Sequence, residues 1–298
     1  MARASAVVLG CLVLAVAASA AAPPKHVIPV GASPLSLVAG AGSVWSANRD
    51  GGTVSRIDPD SNRVVATIRV GGQPWGLAYG AGSIWVGNYS APTVAKIDPA
   101  SNAVVARIPA GRQPIALAYG LGSVWIADYG APRLLRVDPV TDRIESTIRL
   151  AGAHLDVLAE RDGVWVVSEE GYLSRVDPRS GRRTARVGGG SDPTFVARCR
   201  GSLWVTNFRG ATLWQVDGRS AKVERRVPIG SGAAGIACAG GELWIAKYYD
   251  NRVLRLARPP QIAARAATGT HPTDVLVAFG SMWVASSGDG TVERFPLG

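Results

Sequence analysis

The sequence predicts an all-β fold, a seven-bladed propeller with four antiparallel strands per blade, and three observations lead there. Trp45, Trp85, Trp125, Trp165, Trp204, Trp244 and Trp283 recur at intervals of 39 or 40 residues. Each ends one phrase, Gly42-Ser43-Val44-Trp45, repeated as Gly82-Ser83-Ile84-Trp85 and onward to Gly280-Ser281-Met282-Trp283. A fixed period of this size marks units that stack to share a core. Turn signals cut each period into four short apolar segments. The last period ends one segment short, and a segment of the missing kind, 26–30, stands ahead of the first.

The copy 71–110 shows the elements in order. Residues 74–79 form a short apolar inner strand closed by Gly80-Ala81-Gly82; 83–87 form a second strand, 93–97 an alternating third, and 103–108 a fourth. Between third and fourth stands Asp98-Pro99-Ala100-Ser101-Asn102, matched by Asp58-Pro59-Asp60-Ser61-Asn62 and Asp138-Pro139-Val140-Thr141-Asp142. Proline sets φ at the second position, and Asn or Asp tolerates the left-handed residue that returns the chain to the ladder. A lone sheet of this size leaves an apolar face bare, so neighbouring copies must stack face to face. The tryptophans are read as packing between blades. Residues 291–295 supply a third strand to the seventh copy, and pairing of 26–30 beside them would leave no open edge.

Composition narrows the class further. With 298 residues, 36 Gly, 19 Pro and 18% charged side chains, the chain is too apolar and too broken by turns for disorder or a coiled coil. A net charge of +10 favours anionic partners without bearing on the fold. Three Cys with no C-x-x-C or Cys/His spacing exclude a disulfide-dense scaffold and argue against a metal site. Arg3, an apolar run 6–17 and Ala18-Ser19-Ala20 read as a secretory signal over 1–20, leaving 21–298 as a secreted or periplasmic propeller. No apolar run reaches the roughly 20 residues of a membrane span.

The phrase G-S-V-W-V-x-N, then T-V-x-R-I-D-P, then V-V-A-T-I-x-V-G and a Pro-led inner strand resembles the bacterial YVTN-type and streptogramin (virginiamycin B) lyase-like seven-bladed propellers, over residues 26–298. The resemblance implies a fold; activity has to be argued from a site. Its lyase branch implies lactone opening by elimination with a His directly after the inner-strand Pro, nearby carboxylates and magnesium. Here Leu35, Trp75, Ile115, Leu155, Thr194, Ala234 and Thr273 occupy the first place, and Tyr248 and Ser287 stand where the acids are expected. His271 precedes Pro272, and a one-residue shift turns a strand side chain to the other face. A base must be held within reach of the proton it takes, so the departure argues against lyase activity. Magnesium belongs to that alternative alone; otherwise no cofactor is expected.

The resemblance also implies that blade-joining loops and loops between second and third strands open on one face around the channel, where pockets form. Trp75, Tyr89, Tyr129, Phe208, Tyr248 and Asp274 are the ligand-binding candidates there. Lys247 and Tyr249 fall on the same loops. His154, Asp156, Glu169 and Glu170 share blade four and that face, and with His271 they are the only catalytic candidates. A His beside carboxylates can act as a base or hold a divalent ion weakly. The favoured reading is solvated loop residues, with His154 where other blades carry Pro.

Two basic patterns remain. Arg56, Lys96, Arg136, Arg175, Arg255 and Arg294 recur at one place in the third strand and are expected to pair with acids on outer strands, the alternative being a basic ring. A denser run through blades four and five, including Arg182, Arg183, Arg225 and Arg226, is not demanded by the repeat and is the candidate for anion binding, to nucleic acid or another polyanion. Cys199 and Cys238 fall on equivalent turns of adjacent blades and can form a bridge; two buried thiols are the alternative. Asp58-x-Asp60-x-Asn62 lacks the Gly and Glu of a calcium loop, and the G-x-G turns precede no helix. The sequence thus points to a non-catalytic propeller binding a small ligand or an envelope protein on one face.

Overall fold

A computed structural model describes residues 25–188 and 191–297; the expected signal segment lies outside them. Twenty-eight strands form seven four-stranded antiparallel sheets. In the second blade they are Pro74–Gly80, Ser83–Asn88, Thr93–Asp98 and Ala103–Pro109, in order from the channel outward. The innermost strands of consecutive blades touch in sequence, and the seventh, Pro272–Ala278, touches the first, Pro34–Gly40, so the ring is closed. Blade seven takes its outer strand from His26–Pro29, antiparallel to Thr291–Pro296 with Ile28 opposite Val292. Lys25 Nζ reaches the buried Glu293 Oε1 at 2.7 Å beside that seam.

The turns form for the reasons their residues suggest. Asp58 Oδ1 accepts the amides of Asp60 and Ser61 at 3.1 and 2.7 Å, and Asn62 takes φ of +55° to re-enter the ladder. These amide bonds hold the Asp58, Asp98, Asp138, Asp177 and Asp217 carboxyls below their ordinary range. Each repeat indole is buried against the following blade. Trp45, for instance, shares a cluster with Ile84, Val86 and Ile97. Trp45 Nε1 donates to Gly40 O at 2.9 Å and Trp85 Nε1 to Gly80 O at 3.1 Å, satisfying the one polar atom of the ring.

The third-strand cations depart from expectation. Among the described residues acid partners are found for three: Lys96 with Asp142, Arg136 with Glu145 and Arg255 with Glu242. All six instead lie over the tryptophan of their own blade, from 5.0 Å for Lys96 on Trp85 to 5.8 Å for Arg136 on Trp125. Five then cross to the third-to-fourth strand turn of the next blade. Arg56 Nη1 donates to Pro99 O at 2.7 Å and Asn102 Oδ1 at 2.9 Å. Lys96 reaches Pro139 O, Arg136 Pro178 O, Arg175 Gly218 O, and Arg294 Pro59 O. The turn's carbonyls attract the cation because the tight bend leaves them without a ladder partner.

Two interfaces lack this staple. Blade five carries Gln215, which bonds Ser202 of its own blade. There Cys199 and Cys238 form a disulfide, Cα atoms 5.5 Å apart, joining blade five to blade six, and Arg200 Nε donates to Gly241 O at 2.7 Å. Arg255 in blade six turns back to Glu242, because blade seven, completed by the 26–29 strand, has no third-to-fourth turn to receive it.

Replacing both cysteines by serine should destabilise the ring by about 2–4 kcal/mol, and Arg56→Ala by about 1–3 kcal/mol, through loss of a cation–π contact and charge-assisted bonds. Thermal unfolding followed by circular dichroism checks both. An unchanged midpoint for the double serine variant would show the bridge to be idle.

Candidate functional site

One hydrogen bond repeated in all seven blades builds the channel mouth. The residue four past each repeat tryptophan donates its amide to the carbonyl just before the inner-strand start: Arg49 to Ser33, Tyr89 to Gln73, Tyr129 to Gln113, Glu169 to Ala153, Phe208 to Asp192, Tyr248 to Gly232, and Ser287 to His271, all at 2.8–3.1 Å. This ties each second-to-third strand loop to the blade-joining loop. The residue one position earlier, buried, holds the joint from below. Asp128 accepts the amides of Arg112, Gln113 and Gly130. Lys247 reverses the polarity, donating to the carbonyls of Ile229, Gly230 and Ser231. It is fully buried, which pulls its ammonium below the usual range, so it does not present a charge at the mouth as its loop position suggested.

Above these joints lie two adjoining cavities. One, of about 260 Å³, is walled by Leu35, Trp75, Leu155, Phe195, Phe208 and Tyr248, with Arg49 and the hydroxyl-bearing Ser33, Thr194, Thr273 and Ser287. The other, of about 300 Å³, is walled by Gln73, Tyr89, Ile115 and Tyr129. Arg49, Trp75 and Leu155 belong to both. Trp75 and Tyr89 stack at 5.4 Å, Tyr129 follows at 6.2 Å from Tyr89, and Arg49 lies 5.8 Å over Trp75. Across the mouth, Phe208, Tyr248 and Tyr249 pack within 5.3–5.7 Å of one another, and His271 stacks on Tyr248 at 4.5 Å. A larger cleft of about 540 Å³ beside the outer strand of blade three has arginine as its only charged wall and no aromatic side chain.

Five of the six ligand-binding candidates, Trp75, Tyr89, Tyr129, Phe208 and Tyr248, therefore line these cavities. Asp274 does not. It sits in the innermost strand of blade seven, its Oδ2 accepting the Leu37 amide of blade one at 2.8 Å and its Oδ1 the Val275 amide. Asp156 makes the equivalent bond from blade four, accepting the Val196 amide of blade five at 2.9 Å, and it borders a 60 Å³ space in the channel below the mouth. Each keeps a little surface toward the channel, yet protein encloses it, and this enclosure pushes both carboxyls up to about 7. The Asp274 charge adds to the effect on Asp156. Arg49 was missed, although it follows Trp45 by the same four residues that place Tyr89 after Trp85.

The blade-four constellation does not assemble, and two of its members are not the solvated loop residues expected. His154 is buried, its Nε2 3.3 Å from Leu150 O, and burial lowers its pKa. It stands where other blades have Pro, whose ring fills the same inner-strand start. Asp156 is enclosed in the channel. Glu169 and Glu170 are exposed and accept the Tyr129 and Tyr172 hydroxyls at 3.0 and 3.1 Å. No hydrogen bond joins His154 to any of the three acids, and His271 stands on blade seven against Tyr248. Among the described residues no three His, Cys, Asp or Glu side chains converge as metal ligands would.

No protein-family model matches the chain, and no curated protein matches it either. Solved structures do. Hydrazine synthase from Kuenenia stuttgartiensis is 16% identical with a TM-score of 0.79, over 87% of this chain and 94% of that one. Virginiamycin B lyase from Staphylococcus aureus is 15% identical with a TM-score of 0.79, over 92% and 99%. The WD40 propeller domain of Doa1 is 14% identical with a TM-score of 0.77, over 89% and 93%. At such identities the likeness shows the seven-bladed propeller and nothing of its chemistry.

The channel carboxyls generate a pH test. A carboxyl at about 7 in the folded chain, against 3.8 ordinarily, contributes stability that is whole below 3.8 and lost as pH rises through 7. His154, lowered from 6.5, acts in the opposite sense. The comparison to make is therefore between proteins at each pH. The D156N/D274N variant should gain roughly 10 °C in melting temperature over the parent between pH 5 and pH 8. A gap that stays constant across that range would show the two groups to be ordinary carboxylates.

Proposed function

We propose that this protein is a non-catalytic binding module of the YVTN-type propeller class, exported from the cell, that takes a small, flat and largely apolar ligand at the mouth of its channel. The paired cavities sharing Arg49, Trp75 and Leu155 carry this reading. Their walls are aromatic and aliphatic side chains from several blades, with a few hydroxyls to orient a ligand, which is the usual make-up of a small-molecule site. The rim aromatics lose little conformational freedom on binding because neighbouring rings already hold them.

Arg49 tunes the site without making it strongly cationic. Its Nε donates to Asp50 Oδ1 at 2.9 Å and its Nη2 to Oδ2 at 3.3 Å, so most of its charge is answered locally and the guanidinium plane is left to lie over Trp75. The aspartate raises the arginine and the arginine lowers the aspartate, so the pair stays ionised throughout the physiological range. A ligand with apolar rings and at most one anionic group matches such walls. A general base has no counterpart there: neither cavity is walled by a histidine or carboxylate.

Trp75 offers a direct readout, since the other eight tryptophans are buried. Titration with anilinonaphthalene sulfonate, an apolar two-ring anion, should quench part of the tryptophan emission. Trp75→Ala and Tyr248→Ala should each weaken dye binding by about tenfold or more. Equal dye affinity in the parent and both variants would remove the mouth as a binding site.

A further inference from the structure

The outer rim of the toroid is electrically lopsided, and the asymmetry is confined to one arc. The outer strands and the turns that lead into them carry ten Lys or Arg against three acids in blades four to six, over residues 177–188, 217–228 and 258–267. The corresponding segments of blades one to three, 58–69, 98–109 and 138–149, carry five against six. The fold makes these segments equivalent, so the difference is not a requirement of the architecture. The same turn that reads Asp58-Pro59-Asp60-Ser61-Asn62 in blade one reads Asp177-Pro178-Arg179-Ser180-Gly181-Arg182 in blade four.

All ten cations are exposed, and among the described residues none has a salt-bridge partner. This distinguishes them from Arg198 and Arg255, which answer acids nearby. Arg186 and Arg226 lie over the buried rings of Tyr172 and Trp214, at 3.8 and 5.8 Å, which steadies their aliphatic stems while the guanidinium remains at the surface. Asp177 and Asp217 are engaged by their own turn amides. The result is a band of one sign across three adjacent sheet edges.

We propose that this arc binds a flexible linear polyanion of phosphate or similar groups, recognised by charge along its length. Three features choose this partner. The band runs around a convex rim, and a flexible chain can follow three blades there where a flat bilayer meets one or two. Among the described residues Ile262, 37% exposed, is the one large apolar side chain of the arc open to solvent, so little is available to insert into lipid. These segments hold no aromatic residue, and the rings beneath them, Tyr172 and Trp214, are buried under arginines, so no open face is offered to a nucleic-acid base. What remains is counterion release from a charged chain by a row of arginines and lysines. The site is remote from the channel mouth and stands or falls apart from it.

The test uses the full chain and long-chain inorganic polyphosphate, with fluorescence anisotropy as the readout. Affinity should fall by about 300-fold between 50 and 200 mM salt if some six cations are engaged. The variant R182A/R183A/R225A/R226A should bind at least tenfold more weakly and show a shallower salt slope. The variant R63A/R69A/R143A/R149A removes the same charge from the opposite arc and should bind as the parent does. Equal loss in both variants would reduce the effect to net charge and overturn the proposal. Tighter binding to oligothymidylate of matched charge, or to vesicles of anionic phospholipid, would overturn it in favour of nucleic acid or a membrane. Retained circular dichroism in both variants shows that folding is not what changed.

Discussion

A four-stranded sheet with two apolar faces has to be covered on both, and in this chain the only cover available is the next copy of the same sheet. That constraint explains the ring. Each repeat indole is buried against the following blade, and the cation above it carries the contact outward to the neighbour's turn. Hydrophobic burial supplies most of the attraction, but it is non-directional. The crossing bonds to turn carbonyls add direction, holding one blade at a set distance and angle from the next. Where the blade-five repeat replaces the cation with Gln215, a covalent bridge spans the same interface.

The mouth follows from this frame. Backbone bonds tie the same two loops together in every blade, so the residue four past each tryptophan can vary without disturbing the fold. Blades one, two, three, four, five, six and seven accordingly present Arg49, Tyr89, Tyr129, Glu169, Phe208, Tyr248 and Ser287. A symmetric scaffold thereby holds an asymmetric site. The aromatic side chains fall into two groups facing each other across the channel, with Arg49 beside one of them. Below, Asp156 and Asp274 serve the ring itself, each accepting an amide from the adjoining blade's inner strand. Their carboxyls are perturbed by enclosure, a signature shared by functional and purely structural groups, and here the bonds identify the structural role.

Much of the architecture was legible because it depends on local and repeated signals. Spacing of the tryptophans, the Asp-Pro turns and the alternating third strand each describe a segment of a few residues, and seven copies average away the ambiguity of one. The mouth aromatics were legible for the same reason, being at one aligned position. The third-strand cations were not. Their residue type points to acid partners on outer strands, whereas most reach carbonyl oxygens some 43 residues away on the next blade, and a carbonyl leaves no trace in a residue alphabet. Lys247 and His154 misled in the same way, since a charged or polar letter in a loop reads as solvated until packing shows it buried.

The amino-acid order alone determined the number of blades, the strand plan and the aligned positions that open on the channel, because periodic burial and turn chemistry act within a single repeat. Only the tertiary structure decided which polar side chains face water, which serve the joints between blades, and which half of the rim is bare of counter-charges. Those properties depend on distances between residues far apart in sequence, and closing the toroid is what brings such residues within reach of one another.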